Sequence, residues 1–115
     1  MYTLTHEDEA IGNCELERGD PSENSVSGVF INVGGSKALA GWIKSIDGKE
    51  DEGVVFIELN NSFKLLDQAG KAVEFQGGNL ISIPEEDEVF LDITGLSDDT
   101  YKIYFAEHIN AMQNS

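Results

Sequence analysis

The stretch from Ala72 to Ala106 constrains the fold more than any other, because its apolar residues recur at every second position. Val89, Leu91 and Ile93 fall on one side of the middle run, with Glu88, Asp92 and Thr94 on the other. Tyr101, Ile103 and Phe105 repeat the pattern around Lys102. Period two is the spacing at which a strand sets one face on a core and the other in water. Gly77-Gly78, Pro84 to Asp87 and Gly95 to Asp99 separate the runs with turn-forming residues. The expected fold is therefore mainly β, a single antiparallel sandwich of roughly seven strands.

The rest of the chain extends that expectation. "VSGVFINV" predicts a strand with Val29 and Ile31 inward. "VVFIEL" is apolar on both sides at its start, the pattern of a central strand covered on each face, with Val55 and Ile57 in the core. "NNSFKLLDQAGKAVEF" reads as a hairpin turning at Asp67 to Gly70, with a helix over residues 62–69 as the weaker alternative. Residues 36–46 are ambiguous. Leu39, Trp42, Ile43 and Ile46 have helical spacing and Ser36 can cap, but Gly41 costs about 1 kcal/mol in a helix interior. Alternation of Trp42, Lys44 and Ile46 suits a strand equally well. The chain reads as one domain over residues 1–115, with 1–13 and 107–115 as loosely ordered termini.

The run "LDITGLSDDTYKIYF" resembles the late strands of bacterial immunoglobulin-like and fibronectin-type sandwiches through Ile93, Gly95, Leu96 and Tyr101. The resemblance covers the C-terminal third. It implies that Tyr101 begins a strand at a sheet corner and bonds its hydroxyl to nearby backbone. It also implies that Trp42 is the buried strand tryptophan of such a sandwich, provided residues 36–46 form a strand.

Charge is the compositional outlier. Seven Lys and Arg face 22 Asp and Glu, for a formal charge of −15. Such a chain repels nucleic acid and anionic membrane surfaces and attracts basic ones. No apolar run is long enough to cross a bilayer, and the acidic N-terminal residues do not resemble a signal peptide. The expected location is the cytoplasm, where a single cysteine, Cys14, also fits.

Motifs for chemistry are absent. Nucleophilic catalysis needs a nucleophile, a base and a group that orients the base. His6, His108 and Cys14 stand alone in polar terminal segments. One cysteine and two histidines are too few for a closed zinc site. A composite calcium site between the acidic loops is a minor alternative, since the EF-hand pattern fails at Lys49. "GGSK" at Gly34 to Lys37 lacks the upstream glycine and the ending of a phosphate-binding loop. "RGD" at Arg18 to Asp20 reads as turn chemistry. No enzyme, cofactor or metal is expected.

What remains is where the carboxylates go. If consecutive strands run antiparallel, the loops carrying Asp47, Glu50, Asp51 and Glu52, then Asp67, then Glu85, Glu86, Asp87 and Glu88 share one end. The expectation is a negative cap docking a basic protein surface, as an inhibitor, an immunity protein or a DNA mimic would. The alternative is a structural or adhesive immunoglobulin-like module of a phage or cell-surface assembly.

Overall fold

The computed structural model describes the backbone of residues 1–113 and the side chains of residues 1–111. Its strands are β1 (Tyr2–His6), β2 (Glu9–Cys14), β3 (Arg18–Asp20), β4 (Ser25–Ile31), β5 (Lys49–Asp51), β6 (Val54–Glu58), β7 (Phe63–Leu66), β8 (Ala72–Val73), β9 (Gly77–Ile83) and β10 (Glu88–Thr94). Its helices are α1 (Gly35–Ser45), α2 (Asp98–Tyr104) and α3 (Ala106–Gln113). The strands join in one sheet, ordered β5-β6-β9-β10-β4-β2-β1-β7-β8, with β3 also on β4. Every pairing is antiparallel. The mainly β, antiparallel class is as the alternation predicts. Hydrogen bonding, however, runs continuously through ten strands, where roughly seven in a sandwich were expected.

β4 explains the continuity. One edge pairs β10, and the other is shared by β2 and β3. Between those two, Leu16 takes a left-handed backbone (φ 51°) and is fully buried. Its N–H donates to Cys14 Sγ at 3.3 Å, and Glu17 Oε2 accepts the Val29 N–H at 2.9 Å in place of a backbone carbonyl. The segment is thus one strand interrupted by a bulge, and such bulges bend a sheet.

Residues 36–46 resolve as helix. Gly34 and Gly35, at φ 90° and 76°, turn the chain out of β4 into α1, a backbone that side chains rarely adopt. Leu39, Ala40 and Ile43 are buried against the inner face of the sheet, where Val55, Leu80, Val89 and Leu91 stand. Ser82 Oγ donates to the Ser36 carbonyl at 2.7 Å and pins the helix to β9. Trp42 lies on this helix, not on a strand, and meets His6 edge-on at 5.2 Å. Phe63 lies 4.7 Å from the same imidazole, so β1 and β7 close over α1.

Several expectations need correction. Residues 101–104 end helix α2 and Phe105 is its C-cap, so this run is not a strand: Ser97 caps α2 by accepting the Thr100 N–H at 3.1 Å, and Asp98 and Asp99 occupy its first turn. Tyr101 and Phe105 are buried four residues apart, while Ile103 is 74% exposed. The Tyr101 hydroxyl donates to the Ser25 carbonyl at 3.0 Å from that helix. In β4 the register is one residue off, with Val26, Gly28 and Phe30 inward and Val29 and Ile31 outward. Residues 1–13, expected to be loose, supply β1 and most of β2, with Leu4 fully buried. Residues 107–113 continue α3, and His108 Nε2 lies 3.0 Å from the Leu16 carbonyl; residues 114–115 fall outside the described residues.

Candidate functional site

Two acidic turns meet at one end of the sheet. β6 pairs β9 with Val55 opposite Ser82, and that register sets Val54 level with Ile83. The β5–β6 turn, with Asp51 and Glu52, therefore abuts the β9–β10 turn, with Glu85, Glu86 and Asp87. Glu88 follows as the first residue of β10. Local chemistry makes both turns tight. Glu52 and Gly53 take left-handed backbones. Pro84 starts a single 3₁₀ turn that ends on left-handed Asp87 (φ 52°), whose N–H bonds the Pro84 carbonyl. The same device, Pro21 to left-handed Asn24, joins β3 to β4. All six carboxylates are exposed, and no ion pair among the described residues involves them.

Three of the expected members lie elsewhere. Asp47 follows the C-terminus of α1, at the far end of β5 from the turn. Glu50 sits opposite Val55, on the helix side of the edge strand, and pairs with Lys44 at 3.4 Å. Asp67 organises the β7–β8 turn, accepting the Ala69 and Lys71 N–H groups, each at 2.9 Å. Its other oxygen accepts the Tyr104 hydroxyl at 2.9 Å, so Asp67 belongs beside α2. The Lys71 N–H, then the Tyr104 hydroxyl and Ala69 N–H, hold its carboxyl below the usual range. Strand alternation alone misplaced Asp67, because β1 and β2 intervene between β7 and the rest of the sheet.

Asp87 has a second duty. It accepts the Ser36 hydroxyl at 2.8 Å beside the N-terminus of α1. A carboxylate there is favoured by the helix dipole. The "GGSK" turn is therefore already faced by an anion of the chain itself.

The outward face of β6, β9, β10 and β4 carries a feature that the sequence reading did not single out. Phe56, Ile81, Phe90 and Val29 form one row across four strands, through the pairs Phe56↔Ile81, Ile81↔Phe90 and Phe90↔Val29. Val54, Ile83 and Ile31 stand on the same face two residues nearer the acidic end. Val29 is 48% exposed and Ile31 58% exposed. The expectation that "VVFIEL" is covered on both faces is thus corrected: α1 packs on the opposite face only. The signal was present as adjacent apolar pairs, Val29-Phe30, Leu80-Ile81 and Phe90-Leu91, which leave neither face of a strand polar.

The candidate nucleophile Cys14 and the candidate base His6 are apart. Cys14 pairs with Tyr2 and His6 with Glu9, at opposite ends of the β1–β2 hairpin. Burial pushes the Cys14 thiol up to about 11. No group of three or more His, Cys, Asp or Glu among the described residues is gathered closely enough to hold a metal ion. No described helix is long and apolar enough to cross a membrane.

Comparison with known proteins finds no family model, no curated protein and no solved structure that matches this chain.

Proposed function

We propose that the chain is a small non-enzymatic module that docks a basic surface of a partner protein, as an inhibitor, an immunity protein or a nucleic-acid mimic does. The observation that carries this reading is the meeting of two turns whose carboxylates have no ion-pair partner among the described residues. Asp51, Glu52, Glu85, Glu86, Asp87 and Glu88 share one end of a rigid sheet. Carboxylates spaced by a sheet edge offer lysine and arginine side chains fixed acceptors, and the wider charge of −15 steers such a partner from a distance. The buried, high-pKa thiol and its separation from His6 support a non-enzymatic role.

Capture of a protein partner at low salt, compared between variants, tests this. Glu85→Lys with Glu86→Lys is expected to lower capture at least tenfold, and capture by the wild type should fall steeply by 0.5 M salt. Glu23→Lys with Glu74→Lys is the control, because both residues are exposed and lie at the other end of the sheet. Asp98 is unsuitable there, since it accepts the Asn24 amide at 2.9 Å. Equal loss from both double variants, or capture indifferent to salt, would overturn the proposal.

A further inference from the structure

The outward apolar row runs directly up to the acidic end. Phe56, Ile81, Phe90 and Val29 span four strands, about 14 Å at the usual strand spacing. Above Phe90↔Val29 the ladder between β4 and β10 stops. The strands part there around a groove of about 330 Å³, lined by Val29, Ile31 and Phe90 at the row and by Ser36, Asp87 and Glu88 at the acidic end. Asp51, Glu58, Glu88 and Asp92 border the row on the same face, against Arg18 and Lys49.

We propose that this face docks a basic amphipathic segment of another protein, with an apolar side chain seated between β4 and β10 and lysines or arginines against the bordering carboxylates. The inference rests on the docking function proposed above and assigns the apolar half of that interface. Charge chooses the occupant. A second copy laid face to face would bring together two borders in which Asp51, Glu58, Glu88 and Asp92 outnumber Arg18 and Lys49, with −15 on each chain. A basic partner meets complementary charge instead. The groove also fits an anchor side chain, the kind of residue that dominates interface energy. Asp92 points the same way: burial raises its carboxyl above the usual range, so the border of the row is already drawn partly out of water.

The test uses the full chain and a synthetic helix-forming peptide of leucine and lysine, amphipathic by design. Its controls are the same peptide with glutamate for lysine and one with serine for leucine. NMR titration at 25 mM and 300 mM salt reports both affinity and place. Saturable binding of the leucine–lysine peptide is expected, shifting the amides of Val29, Ile31, Ile81 and Phe90, with neither control doing so. Phe90→Ser should weaken it at least tenfold. Val29→Ser, at a half-exposed position, does the same without risk to the core. Shifts confined to Asp51–Glu52 and Glu85–Glu88, unchanged by either serine variant, would overturn this inference and leave the acidic-end reading standing. Absence of binding at both salts would overturn this inference. Concentration-dependent dimerisation through Phe90 in sedimentation would also overturn it, by making a second copy the occupant. The acidic-end reading is judged separately, by the Glu85 and Glu86 reversals.

Discussion

Asp92 stands on the outward side of β10, two residues from Phe90, and desolvation raises its carboxyl above the ordinary value. The folded state therefore disfavours its ionised form. Stability associated with this group is greatest when it is protonated and falls as pH rises from the unfolded value, about 3.9, through the higher folded value. Asp92→Asn removes that penalty. Thermal melts at pH 7 are expected to show the variant unfolding at a higher temperature than wild type, with the gap closing by pH 3. A gap that widens on acidification would show that Asp92 is instead held by a favourable partner. At the same scale, burial pushes the Cys14 thiol up to about 11, away from the thiolate form that attacks. Its sulfur accepts the Leu16 N–H inside the bulge and packs in the core.

At the scale of elements, α2 shows how two periodicities compete. Tyr101, Ile103 and Phe105 alternate as a strand would, yet Tyr101 and Phe105 are also four apart, the repeat of one helix face. The cap decides. Ser97 and the acidic first turn satisfy the free N–H groups of a helix and favour its dipole. Phe105 then packs at a tilt against Tyr2 and Tyr101, with ring centroids at 5.4 and 5.6 Å. Phe105→Ala is expected to cost about 3–5 kcal/mol in urea unfolding, whereas Ile103→Ala should stay within about 0.5 kcal/mol. Equal costs would return residues 101–105 to a strand. β9 and β10 make the opposite point, since Gly78 lets their backbones approach closely. A Cβ there, at φ 143°, would lie 2.0 Å from the Asp92 carbonyl.

For the molecule as a whole, repulsion among like charges is weakly answered within the chain. Two ion pairs are found among the described residues, Lys44–Glu50 and Lys64–Asp8, both well exposed and each contributing little. Added salt screens the remaining repulsion. Unfolding temperature at pH 7 is therefore expected to rise by several degrees between 20 mM and 500 mM sodium chloride. A fall would mean that attractive pairs dominate instead. In the proposed docking function, the same unanswered charge is what the acidic end would offer a basic partner.

Period-two patterning and turn residues were legible without coordinates, since alternation, Pro-led turns and left-handed glycines act locally. They determined a mainly β, antiparallel protein, the hairpin that turns at Asp67 to Gly70, and the turn at Pro84, whereas Arg18 to Asp20, read as turn, forms β3 because its backbone pairs with β4. Helix α1 was legible only as one of two options, because residues 36–46 satisfy both periods. The candidate site was legible in part: Asp51, Glu52 and Glu85 to Glu88 gather as antiparallel connection implies, while Asp67 does not. Strand order alone separates it, and strand order depends on which long-range edges find partners. The outward apolar row was hidden for a related reason. Val29, Phe30 and Ile31 are apolar in succession, so nothing local chooses which of them faces inward. Packing of α1 and the bulge at Leu16 made that choice, by setting Phe30 into the core and leaving Val29 and Ile31 outside.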